Sequence, residues 1–134
     1  MQSPEHAAVG AVVSAVALVP LVDAFSPPAL AVLWGYGVAL SVFVDLDHFL
    51  LARLLSGDWS HLRSTLRRGR GAFVDQAGTF RGLEMERRRH LSHHALGGVL
   101  VGGLALVSAP LAVFTAVVLY THVLCDLLRD NELV

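Results

Sequence analysis

The chain has 134 residues, a formal net charge of −1 and a composition that is 54% hydrophobic. Its length indicates one domain, residues 1–134, and a mean hydropathy of +0.61 argues against an ordinary water-soluble globule and for a membrane protein. A single cysteine, Cys125, excludes an internal disulfide; the total charge says nothing about partners, and no nucleic-acid partner is expected.

Four apolar stretches succeed one another, about Ala7–Val22, Ala29–Val44, Ala95–Ser108 and Leu111–Leu128. With their polar ends included, they predict membrane spans at about 7–22, 29–50, 93–108 and 111–128. No basic residue precedes the first stretch, as a signal peptide requires, so it reads as a retained span. Proline-bearing connectors, Asp23–Pro28 and Ala109-Pro110, join the stretches into two helical hairpins, because proline ends helices. On the third helix, Gly98 and Gly102, with Gly97 and Gly103, predict a small-residue surface for close helix packing.

Nine of the ten arginines lie between Arg53 and Arg89, in the segment 53–89 that separates the hairpins. The positive-inside rule places that segment in the cytoplasm, and four spans then place both termini there too. Within it, Asp58–Arg70 reads as an amphipathic interfacial helix, with Trp59, Leu62 and Leu66 on one face and Arg63, Arg67, Arg68 and Arg70 supplying charge. The expected fold is therefore all-α: an integral inner-membrane four-helix bundle of two hairpins, with an arginine-rich cytoplasmic loop or interfacial helix.

Four polar tracts abut the apolar runs: Glu5-His6, Asp45-Leu46-Asp47-His48, His90-Leu91-Ser92-His93-His94, and His122 through Asp126. Traced through the predicted topology, all four reach the cytoplasmic ends of their helices. The apolar residues Ala95–Ser108 extend only about 21 Å at 1.5 Å per residue, against a hydrocarbon core of about 30 Å. To span, such a helix must draw its ionisable residues towards the core boundary, where Asp and His are too short to snorkel. A divalent transition metal would neutralise them. The spacing suits this: His122 and Asp126 are four apart, Asp45 and His48 three apart, and each pair shares a helical face. On a regular helix Asp47 points roughly opposite Asp45, so at most one of the two is a straightforward ligand unless the helix unwinds.

The tracts resemble the membrane-bound, metal-dependent hydrolase-like proteins of bacteria and archaea. Their pattern is an N-terminal His at the first helix, a (P)DxDH box, a THS-type box and a late HxxxD. Here these are His6, Asp45-Leu46-Asp47-His48, Ser92-His93-His94, and His122 with Asp126. Val44 stands where the pattern has Pro; Arg88 stands where it has a further His, with His90 close by. The family is remotely similar to zinc-dependent phospholipase C and a related class of zinc nucleases.

The resemblance implies a hydrolase holding one or two divalent metals, zinc first and manganese second. The expected ligands are His6, Asp45, His48, His90, His93, His122 and Asp126. Asp47, if not a ligand, is the catalytic base or orients an imidazole. Arg87, Arg88 and Arg89 are candidate phosphate ligands. Membrane lipid is the expected partner, and a lipid phosphoester at the cytoplasmic leaflet boundary the expected substrate. Two other classes compete: a non-catalytic membrane protein with a structural metal or adaptor role, and a haem carrier with axial histidines.

Overall fold

The computed structural model describes residues 3–69 and 86–133, and among them every regular element is helical. Helix α1 (Ser3–Leu18) runs into a 3₁₀ turn, Val19–Leu21. Helix α2 (Pro27–Phe43) leads through a second 3₁₀ turn, Val44–Leu46, directly into α3 (Asp47–Ser56). Then come α4 (Ser60–Arg68), α5 (Glu86–Ala105) and α6 (Ala109–Asp130). Three stretches are long and apolar enough to cross a membrane: Pro4–Leu21, Pro27–Ser56 and Ala109–Asp130. The apolar part of α5, Leu91–Ala105, is shorter.

The prolines do a different job from the one expected. They begin helices instead of ending them. Ser26 caps α2 in an extended conformation ahead of Pro27 and Pro28, and Ser108 caps α6 ahead of Pro110. In the first helical turn the N–H that proline lacks would have no partner anyway, so proline is well placed there. The Ser108 hydroxyl accepts from the Leu111 N–H at 3.4 Å, which completes that cap.

The second apolar helix also outlasts its predicted end at residue 50. Leu51, Ala52, Leu54 and Leu55 carry α3 on to Ser56, so Arg53 is helical and not part of a loop. Gly57 stops it. Its φ of +80° is the left-handed conformation in which a helix C-terminus closes, and its N–H donates to the Arg53 carbonyl at 3.0 Å. Helix α4 falls within the predicted interfacial helix. Arg53 lies over the Trp59 ring at 5.6 Å, within cation–π range. Leu66 and Trp59 remain exposed, so the apolar face of α4 is turned outwards.

Helix α1 packs on α2 and α6, α5 packs on α6, and α3 reaches α5. The close approach lies elsewhere than predicted. Gly98, Gly102 and Gly103 face open space, and of the α5 glycines only Gly97 packs, against Leu119. The tight contact is between α1 and α2, where each helix sets a glycine against the other's serine. A Cβ on Gly10 would lie 2.0 Å from Ser41 Oγ, and one on Gly37 would lie 2.2 Å from Ser14 Oγ. Neither position has room for a side chain.

Leu18, Phe114 and Val118 form a small apolar core, flanked by Leu21, Leu30, Leu33, Tyr36 and Leu40. Among the described residues, buried side chains are more often polar than apolar: eleven, including His6, Asp45, Asp47, His48, His93, His122 and Asp126, against six. Large apolar residues such as Val12, Val32, Val99, Val113 and Tyr120 face outwards. The chain is inside-out relative to a soluble globule.

Candidate metal centre

Residues far apart in sequence meet at the end of the molecule away from the apolar core. His6 comes from α1, Asp45 from the 3₁₀ turn, Asp47 and His48 from the start of α3, His93 from α5, and His122 and Asp126 from α6. All seven side chains are buried. One donor atom each from Asp45, His93, His122 and Asp126 lie within 4.8 Å of one another, and the same holds for Asp47, His48 and His93. A buried Asp/His cluster of this kind can hold a metal ion.

Both aspartates of the DLDH tract reach the cluster because the helix tightens to a 3₁₀ turn at Val44–Leu46. An α-helix turns about 100° per residue, which sets positions 45 and 47 about 160° apart. At three residues per turn the 3₁₀ segment cuts this to about 120°. Val44 stands where the family pattern has proline, and Val44–Leu46 is 3₁₀ all the same.

Asp45 is the hub. Its Oδ1 lies 3.3 Å from His122 Nε2, 3.4 Å from His93 Nε2 and 3.8 Å from His48 Nε2. His122 Nε2 is also 3.6 Å from Asp126 Oδ2. Neighbouring groups fix two of these imidazoles. His122 Nδ1 donates to the Ser41 carbonyl at 2.8 Å, and His93 Nδ1 donates to Asp47 Oδ2 at 2.7 Å. In the neutral ring the other nitrogen, Nε2, then carries the lone pair, and both Nε2 atoms lie close to Asp45 Oδ1. Pairing of a ligand imidazole with a carbonyl or carboxylate is a common support for metal-binding histidine.

The distances separate two kinds of contact. A charged N–H···O bond is about 2.7–2.9 Å long. Zinc bonds of about 2.0–2.1 Å set the donor atoms of a tetrahedron about 3.3–3.4 Å apart. The His93–Asp47 contact has the first length, whereas the contacts of His93 and His122 with Asp45 have the second. Asp45 Oδ1 and Oδ2, Asp47 Oδ1, His93 Nε2 and His122 Nε2 are buried and have no hydrogen-bond partner among the described residues. Opposed lone pairs of this sort are costly to bury unless a cation lies between them.

His6 stands beside this set. Its Nε2 donates to Asp126 Oδ1 at 3.0 Å, and its ring stacks on His122 with centroids 4.0 Å apart. It therefore holds Asp126 with Oδ2 towards His122. His48 stacks on His93 at 5.0 Å, its Nε2 3.7 Å from Asp47 Oδ1. His94 is exposed and belongs to neither group of clustered donor atoms. The side chains of His90, Arg87, Arg88 and Arg89 lie outside the described residues.

Sequence reasoning missed Ser41. Its carbonyl takes the His122 proton, and its hydroxyl lies 3.1 Å from the His6 carbonyl oxygen and 2.8 Å from that of Val38. One serine thus links α1, α2 and α6 directly behind the cluster. Its only trace in the sequence is a polar residue in an otherwise apolar helix, one turn before Asp45. Neither the family models, the curated proteins nor the solved structures compared with the chain match it.

Proposed function

We propose that this protein is an integral membrane metal-dependent hydrolase, with zinc as its metal and an amphiphilic phosphoester as its substrate. The observation that carries the metal is the spacing of Asp45 Oδ1 from His93 Nε2 and His122 Nε2, 3.4 and 3.3 Å, with each imidazole's Nδ1 already committed. Asp45, His93, His122 and Asp126 would be the ligands, with His48 beside them. The similarity of the DLDH, SHH and HxxxD tracts to the membrane-bound hydrolase-like family supports the same reading. So does the inside-out distribution of polarity: the exposed valines and leucines suit lipid, and the buried charges suit a bundle interior. The membrane bundle would comprise α1, α2, α5 and α6, with α4 at the interface.

Zinc bound there would supply Lewis acidity, activating water near neutral pH and polarising a phosphoryl oxygen. The protein's own part is orientation and proton handling. Asp47 Oδ2 fixes the His93 tautomer, and its buried Oδ1 is placed to take the proton of the attacking water. As the new oxygen–phosphorus bond forms, the ester bond breaks, and the leaving alkoxide takes up that proton. His6 and Ser41 hold Asp126 and His122 in register.

One observation favours a second reading, a structural metal. The same cluster ties α1, the α2–α3 junction, α5 and α6 together, as a staple would. Metal analysis of purified protein, followed by phosphodiesterase assays before and after chelation, separates the two. The hydrolase reading expects activity that disappears with the metal and returns with added zinc. A tightly held metal with no turnover on any phosphoester leaves the staple.

A further inference from the structure

The site has a second half that is apolar. A groove of about 360 Å³ runs between α5 and α6, and the buried ring of His93 lies at its polar end. His94 and Tyr120 also line it; its other walls, Val101, Leu119 and Val123 among them, are apolar. Gly97 and Gly98 leave it open: Gly98 has nothing within 4 Å of where a Cβ would sit. From His93 to Val101 the groove follows eight residues of α5, about 12 Å of helix. A larger groove of about 650 Å³ between α1 and α6 is apolar throughout its lining and reaches no residue of the cluster.

Resting on the hydrolase reading above, we infer that the α5–α6 groove holds one alkyl chain of the substrate, with the phosphoester at the cluster. A mostly apolar lining with a ligand imidazole at one end suits an amphiphile. Its volume lies at the small end of the range for ligand sites, about 300–1,000 Å³, which fits one chain and not two. The groove lies on the flank of α6, a helix long and apolar enough to cross a membrane, so a lipid's chain would reach it without entering water. The substrate class that follows is a single-chain phosphoester, or a two-chain lipid with one tail engaged.

Gly98→Leu tests this, because a Cβ there has nothing within 4 Å and the groove lies beside it. The zinc-loaded protein and the variant would be reconstituted in nanodiscs with dodecylphosphonate bearing a terminal diazirine, which binds but is not hydrolysed. Cross-links in the wild type should concentrate on Val101 and Ala116 and be lost in the variant, with metal content unchanged. Turnover of a long-chain lysophosphoester should fall about 10²-fold through lost placement, while a short aryl phosphate is hydrolysed as before. Cross-links spread equally over outward residues such as Val99 and Val113 would mean annular lipid and overturn the groove. A change of oligomeric mass in the variant, with cross-linking unaltered, would make the groove a helix-packing surface and also overturn it. Groove labelling without any hydrolysis would sink the hydrolase reading and leave the groove; aryl phosphate hydrolysis with diffuse labelling would do the reverse.

Discussion

Asp45 and Asp47 are two residues apart, and Asp→Asn at each should have different consequences. Asp47 meets His93 at 2.7 Å, the length of a charged hydrogen bond, whereas Asp45 faces His93 and His122 at 3.4 and 3.3 Å, the edge of a zinc tetrahedron. Asparagine at 47 keeps an oxygen that accepts from His93 Nδ1 but loses the charge that raises the ring's basicity. Loss of such a supporting group weakens metal binding by about 10–100-fold, or about 1.4–2.7 kcal/mol. Zinc should therefore still bind stoichiometrically when supplied in excess, and the tetrahedral visible spectrum of the cobalt-substituted protein should persist. At saturating zinc the rate should still fall by about 10²–10⁴-fold, because Asn cannot take a proton at Oδ1. Asparagine at 45 removes the charged oxygen that three imidazoles approach, so stoichiometric binding should be lost. Competition against a graded series of chelators, followed by rates at saturating zinc, measures both effects. An empty Asp47→Asn site beside a full Asp45→Asn site would reverse the assignment, and equal small losses at both would refute the distance argument.

Four further outcomes are expected. His122→Ala with Asp126→Ala should lower metal occupancy, as read by elemental analysis of purified protein; unchanged stoichiometry would remove α6 from the site. Gly10→Ala should destabilise the fold by about 1–3 kcal/mol, since the added methyl meets Ser41 Oγ, whereas Gly98→Ala should be neutral or stabilise by up to about 1 kcal/mol. Thermal unfolding in detergent ranks the two, and the opposite order would contradict the α1–α2 contact. Chelation should lower the melting temperature of the wild type and have little effect on the His122/Asp126 double variant, because the metal can stabilise only a fold that binds it. Reporter fusions after Val134 and within Asp23–Pro28 should report opposite sides of the membrane; a same-side result would refute an even number of spans.

The parts legible in the sequence were those set by hydropathy and by local spacing. Apolar runs located the helices, and the i, i+3 and i, i+4 pairs at Asp45/His48 and His122/Asp126 marked faces that do meet. The unread parts depend on contacts between distant residues. Gly98 and Gly102 have the small-residue spacing yet pack on nothing, while Gly10 and Gly37, spread over two helices, face Ser41 and Ser14. No pattern within one helix reveals which partner it will meet. Asp47 was harder for a different reason: its direction depends on the 3₁₀ turn at Val44–Leu46, and a regular helix would have turned it away. His6 belongs to the cluster because Asp126, 120 residues later, accepts its proton.

In the proposed membrane bundle, helix lengths bear on what kind of molecule the cluster would act upon. Measured from the hairpin-connector ends at 1.5 Å per residue, His93 lies about 18 Å along α5, and His122 about 20 Å along α6. His6 lies about 22 Å from Leu21, and Asp45 about 27 Å from Pro27. Against a hydrocarbon thickness of about 30 Å, every value sets the cluster in the half of the core next to one boundary. A soluble phosphoester would have to leave water to reach the site, whereas an amphiphile already in the leaflet would approach it from within the same half. The helix lengths thus argue for the same substrate as the groove that begins at His93, and they do so from independent observations. Val101→Trp separates these contributions. It would leave the ligands and their depth unchanged and fill the groove. Metal binding should then survive while preference for long-chain over short-chain phosphoesters falls. Unaltered preference would mean that the groove does not select the substrate.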